Sequence, residues 1–244
     1  MRKSANTLHC RIQTQTFYEY IFPPRQLLEE IPNVTYKDQI VSSDVNVLLI
    51  YSQMGWGKTE TVRRIAEEAV KLYGEENVNA SYVEGGNLEK LITYGLEDKL
   101  VNILFCDDLT LVPIDQRVLA AFFRLRHRLA SHFNRRNGYI LGILAIHRWH
   151  NIPVVLRSAS LGVIVKSTSL EEYDNRVIKK LVGQENYEWL RAVEKQGMLE
   201  KQYRRYGVFS SKHLVCRVEF PLATKNYLRK ALSEYERIYG EVTY

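Results

Sequence analysis

The chain has 244 residues, 45% hydrophobic and 25% charged, which suits one large α/β domain and excludes disordered and collagen-like classes. Its 34 Lys and Arg against 28 Asp and Glu leave a net charge of +6, a surplus that favours an anionic partner. The apolar runs are strand-sized and no apolar signal region follows Met1–Asn6, so a cytoplasmic protein without membrane contact is expected. Cys10, Cys106 and Cys216 have no paired spacing, and two of them fall in strand-like runs, so buried free thiols are expected rather than disulfides or a zinc site.

In chain order, residues 1–44 read as an N-terminal extension. An aromatic patch (Phe17, Tyr18, Tyr20, Phe22) precedes Pro23-Pro24, and a short helix over Arg25–Ile31 stops at Pro32. Covering the base of a nucleotide, whose binding loop follows, and contacting a partner are both open to it.

Val47–Tyr51 is a buried strand, Ser52–Thr59 (Ser-Gln-Met-Gly-Trp-Gly-Lys-Thr) a phosphate-binding loop, and Glu60–Tyr73 a helix with Val62, Ile65, Ala66, Ala69 and Leu72 on one face. Glycines let successive backbone N–H groups point at phosphates, and the helix adds the positive end of its dipole. Ser52, Gln53, Met54, Gly55, Trp56, Gly57, Lys58, Thr59 and Glu60 are therefore the candidate ATP-binding residues. Lys58 would reach the β and γ phosphates and Thr59 would hold Mg²⁺. Ser52 stands where the usual pattern has its first glycine.

Val78–Val83 reads as the second strand, Leu88–Lys99 as a helix, and Val101–Cys106 as a third, fully buried strand ending in Asp107-Asp108. Adjacent carboxylates there divide two tasks: Asp107 in the Mg²⁺ shell, Asp108 orienting and deprotonating the attacking water. Asp115–Arg136 is expected as one long helix, with Val118, Phe122, Leu125, Leu129 and Phe133 inward and Arg117, Arg124, Arg128 and Arg135 on another face. No acidic residue occurs between Asp115 and Glu171, so residues 117–136 are the candidate DNA-binding surface.

Tyr139–Ile146 is a fourth strand, with His147, Arg148, Trp149 and His150 at its tip; His147 is placed to sense the γ phosphate or position water. His147-x-x-His150 would be a metal pair, but no carboxylate or cysteine partner stands at useful spacing. Arg157, before the fifth strand Leu161–Lys166, is the candidate arginine finger, acting across a subunit boundary. Beyond it come helices over Glu171–Leu181 and Glu185–Arg205, and strands over Tyr206–Ser210 and His213–Phe220. A final helix over Ala223–Tyr239 would bury Leu228, Leu232, Tyr235 and Ile238.

Strands alternating with helices imply a three-layer α/β/α fold with a mostly parallel five-stranded core sheet. The expected division is an extension (1–44), an ATPase core (45–168) and a C-terminal two-strand and helix extension packed on the core (169–244).

The set Gly55-x-Gly57-Lys58-Thr59, Asp107-Asp108 after an apolar strand, a polar fourth-strand tip and Leu156-Arg157-Ser158 resembles the P-loop ATPases of the additional-strand division. That division includes the AAA+ and RecA/HerA-FtsK groups. The Asp-Asp ending is similar to DnaA- and DnaC-type initiators and loaders, whereas the two strands after the fifth are similar to the HerA-FtsK side; the overall layout resembles small ATPases of archaeal viruses and plasmids. The resemblance implies ATP hydrolysis with Mg²⁺ in a homo-oligomeric ring that loads, remodels or moves along DNA. Ser52 and the lack of a sensor-two arginine in a helical lid depart from the AAA+ pattern. An ATP-dependent assembly switch without DNA action and a small nucleotide kinase are the alternatives, the latter without the acceptor-binding motif it would need.

Overall fold

A computed structural model describes residues 12–30, 35–36, 39–40, 42–109, 115–135, 137–233 and 236–237. Its elements run α1 (Thr14–Ile21), α2 (Arg25–Glu30), β1 (Thr35–Tyr36), β2 (Gln39–Ile40), β3 (Ser42–Tyr51), α3 (Lys58–Tyr73), β4 (Val78–Val83), α4 (Leu88–Tyr94), β5 (Val101–Cys106) and α5 (Gln116–Phe123). They continue as α6 (Leu125–Phe133), β6 (Asn137–Ile146), α7 (Val154–Ala159), β7 (Ser160–Val165), α8 (Glu172–Val182), α9 (Gln184–Leu199), β8 (Tyr206–Ser210), β9 (Val215–Glu219) and β10 (Arg229–Lys230).

Val47–Tyr51 has no polar residue, and a strand apolar on both faces is stable only where both faces are covered. β3 accordingly lies inside an eight-stranded sheet of order β10-β4-β5-β6-β3-β7-β8-β9, in which only β8 runs opposite to the other strands. Leu48 and Ile50 enter a core under α1, α2 and α3; Val47, Leu49 and Tyr51 enter a second core under α4 to α9. Alternation along one strand thus builds both outer layers of an α/β/α sandwich. Cys106 and Cys216 are buried free thiols, as expected; Cys10 lies outside the described residues.

In the aromatic patch of residues 17–22, Phe17, Tyr18 and Phe22 are buried in the core. Phe17 meets Phe209 and Phe220 at ring-centroid distances of 5.1 and 5.6 Å, and Phe22 meets Tyr73 and Tyr139. Leu72 is 47% exposed and Tyr73 takes its place in the core. The Asp115–Arg136 helix is broken at Arg124 (φ −92°, ψ 2°) into α5 and α6. Gly142 of β6 leaves room that a side chain would take from the Phe122 ring, and the break lets Leu119, Phe122, Leu125 and Leu129 all be buried while Val118 and Phe133 stay at the margin.

The Ala223–Tyr239 helix is absent over the described residues 223–233; Tyr235 and Ile238 lie outside them. The chain there runs to the sheet edge and adds β10 parallel to β4, with Arg229 opposite Ser81. Leu228 enters the core under α3 and Ala231 the core on the other face, which one helical stripe cannot achieve and a segment crossing a sheet edge can. The contact also covers backbone groups of β4 that an open edge would expose.

Candidate active site

β3 delivers Ser52–Gly57 to the C-terminal edge of the sheet, where α3 begins at Lys58. Gly55 and Gly57 both have φ of 75°, the left-handed region in which a side chain costs energy, and these two residues turn the loop back onto the helix axis. Ser52 is buried, and its hydroxyl donates to the Gln53 carbonyl at 3.0 Å. The N–H groups of residues 54–60 find no acceptor among the described residues. Seven unengaged donors in the loop and the first turn of α3 suit an anion. Met54 is 80% exposed, whereas Trp56 is 5% exposed and contributes packing.

Lys58 is 7% exposed. Its Nζ lies 3.1 Å from Nε2 of His147, 3.5 Å from Oδ1 of Asp108 and 3.9 Å from Oδ1 of Asp107. Thr59 Oγ1 stands 3.5 Å from Oδ2 of Asp107, which would place both on one Mg²⁺. Burial pushes the Asp107 carboxyl up from its ordinary range, and the Lys58 ammonium pulls it part of the way back. Asp108 has φ of 55°, a left-handed conformation uncommon for a side-chain-bearing residue, and its carboxylate contacts Nε2 of His147. Nδ1 of His147 donates to the Ser52 carbonyl at 2.7 Å, which fixes the ring orientation and aims Nε2 at Lys58 and Asp108.

Four of the sequence-selected side chains, Lys58, Asp107, Asp108 and His147, therefore meet at one point, delivered by β3, β5 and β6, with Thr59 alongside. Glu60 is turned from the loop to Arg63 at 3.1 Å and to the N–H of Ala223. Arg157 is not brought there within this chain: α7 leads into the start of β7, level with Val47, and the phosphate loop leaves the other end of β3 after Tyr51. In the basic region Arg117, Arg124, His127 and Arg128 line a cleft of about 490 Å³. Arg128 donates to the Ile92 carbonyl and Arg135 pairs with Asp98 at 2.6 Å, which assigns those two to holding α6 in place. Arg136 lies outside the described residues.

No known protein family's profile matches the chain, and no curated protein matches it in sequence. Among solved structures it is similar to the DNA-packaging ATPase B204 from Sulfolobus Turreted Icosahedral Virus, at 13% identity over 71% of this chain and 97% of that one, with TM-score 0.43. The genome packaging NTPase B204 from Sulfolobus turreted icosahedral virus 2 in complex with AMPPCP gives 9% identity, 72% and 98% coverage and TM-score 0.47. The pCW3 conjugation coupling protein TcpA with ATPgS gives 13% identity, 74% and 61% coverage and TM-score 0.44. At such values the activity has to be read from the site itself.

The second wall of the loop escaped sequence reasoning. Gln53 N–H donates to Ser167 Oγ at 2.8 Å, and its side-chain amide donates to the Thr168 carbonyl and to Glu194. Glu194, 6% exposed, also accepts from the Thr168 N–H at 3.2 Å and from its hydroxyl. Arg204 donates to the Gly55 carbonyl at 2.9 Å and lies over the Trp56 ring at 5.7 Å. Gly57, Thr61, Arg204, Arg205, Phe220 and Leu222 border a cleft of about 320 Å³ beside the loop. Next to Ser167, the Lys166 amine is fully buried over the Phe220 ring, without a hydrogen-bond partner among the described residues, and burial pushes it down to about 7.

Proposed function

We propose that this chain binds ATP with Mg²⁺ and hydrolyses it, working as a homo-oligomeric motor or loader on DNA. The convergence of Lys58, Asp107, Asp108 and His147 from three strand ends beside a donor-rich loop supports this reading above all. The loop N–H groups and Lys58 would take the triphosphate, with Lys58 exchanging its carboxylate contacts for phosphate oxygens. Thr59 and Asp107 suit Mg²⁺, which would offset phosphate charge when bound. Asp108 would orient the attacking water and accept its proton as oxygen bonds to the γ phosphorus and the bridging bond to the β phosphate breaks. His147 would hold Asp108 in position from the opposite side.

The position of β6 between the loop strand β3 and the aspartate strand β5 supports the additional-strand division, and continuation of the sheet through β8 and β9 favours its HerA-FtsK side. The placement of Arg157 away from its own loop suits action on a neighbour, and Val154 and Val155 are exposed on the same helix at 69% and 52%. Mixing Arg157→Ala with Lys58→Ala protein should then restore part of the activity in shared sites. The deciding experiment is ATP hydrolysis with and without single- and double-stranded DNA, with Asp108→Asn as the blank. Stimulation by DNA, reduced by Arg117→Glu with Arg124→Glu and by added salt, is the expected result. Hydrolysis indifferent to DNA would instead support an assembly switch.

A further inference from the structure

His150 stands beside two carboxylates that sequence spacing did not reveal. Its Nδ1 lies 3.7 Å from Oε2 of Glu171 and 3.7 Å from Oδ1 of Asp174, and the three donor atoms all lie within 4.8 Å of one another. Glu171 stands at the N-cap position of α8 and Asp174 in its first turn, so the helix itself sets the spacing of the two acids.

Each carboxylate has one oxygen held from outside and one turned to the centre. Oδ2 of Asp174 accepts from the Tyr51 hydroxyl at 3.2 Å and from the Trp149 N–H at 3.0 Å. Glu171 directs Oε1 to Nε of Arg148 at 3.3 Å and Oε2 to His150. This arrangement supplies the outer hydrogen bonds that orient metal ligands.

The decisive observation is Asp174 itself. The residue is 0% exposed, yet among the described residues Oδ1 has no hydrogen-bond partner, and it faces His150 and Glu171. A buried, unpartnered carboxylate oxygen is costly. A cation at the centre would remove that cost. One imidazole nitrogen and two carboxylate oxygens suit a borderline divalent ion. The 3.7 Å spacings approach the ~3.3 Å edge of a tetrahedron with metal–ligand bonds of ~2.0–2.1 Å.

We propose that His150, Glu171 and Asp174 form a site for a divalent transition metal such as Zn²⁺, with water in the remaining position. The ion ties the loop after β6 to α8, three residues beyond His147, and so steadies the strand tip that carries His147 to Lys58 and Asp108. The site is distinct from the Thr59–Asp107 pair and does not depend on hydrolysis.

The test uses the full-length, tag-free protein, stripped with chelator and kept in excess Mg²⁺ so that oxygen-only sites are occupied. Zn²⁺ is followed by calorimetry and Co²⁺ by its visible absorption. The expected result is one equivalent bound, a tetrahedral Co²⁺ spectrum, and affinity weakened by at least ~100-fold in His150→Ala and Asp174→Asn. His150 is half-exposed, so His150→Ala keeps the test valid if Asp174→Asn does not fold. Absence of saturable binding, or equal binding by folded His150→Ala, would overturn the proposal and leave a histidine–carboxylate ion pair.

Discussion

The charged wall of the phosphate loop, where Lys58 meets Asp107, Asp108 and His147, and the wall of Ser167, Thr168, Glu194 and Arg204 hold different residues of one loop by different means. On the first side, an imidazole and two carboxylates sit 3.1–3.9 Å from Lys58 Nζ on strand ends that are open to a ligand. On the second, Gln53 is fixed through hydrogen bonds to a buried threonine and glutamate, and Trp56 is covered by Arg204. Ion pairs around a lysine can be exchanged for phosphate with little movement, whereas buried hydrogen bonds lose their full value when a partner is lost. The first wall is therefore suited to chemistry and the second to position.

Substitutions on each side sharpen that contrast. Lys58→Ala should have the largest effect, weakening ATP affinity at least ~100-fold by calorimetry, since it removes about two charge-assisted contacts. Unchanged affinity would remove Lys58 from the phosphate. Asp108→Asn should keep ATP binding within a few-fold and lower kcat by about 10²–10⁴, the usual weight of a general base. Full turnover in that variant would move the base elsewhere.

Glu194→Ala on the second wall strands the Thr168 N–H and hydroxyl and the Gln53 amide, and should cost ~1–3 kcal/mol in denaturant unfolding, with kcat reduced only as far as binding is. A variant of wild-type stability with no turnover would break the division between walls. Lys166→Met should give the smallest change, a gain in stability. The buried amine titrates near 7, against 10.5 when free, so between these values the unfolded chain binds more protons and stability rises with pH. Lys166→Met should raise Tm by ~2 °C or more at pH 7–8 and flatten its rise toward pH 10, as read by calorimetry. An unchanged pH profile would mean that the amine is hydrated.

Legibility followed sequence separation. The strands Val78–Val83 and Val101–Cys106 match their expected bounds because a strand buried on both faces is written in consecutive residues. The meeting of Lys58 with Asp108 and His147 was legible too, since the loop that carries Lys58 and the two other residues all follow apolar strands of one parallel sheet. The two walls differ here as well: Gln53 and Thr168 are 115 residues apart, and Gly55 and Arg204 are 149 apart. Neither Glu194 nor Arg204 differs in local pattern from any other charged residue on a helix or turn.

By itself the amino-acid sequence determined the alternating strands and helices, the glycine-turned loop and the carboxylates at a strand end, because periodicity and backbone freedom are local properties. Only the tertiary structure decided that a helix would break at Arg124 with Phe122 seated over Gly142, that Leu228 and Ala231 would straddle a sheet edge, and that Asp174 would come under His150. Those outcomes depend on which surfaces remain uncovered once the sheet has formed, and that is a property of the assembled layers.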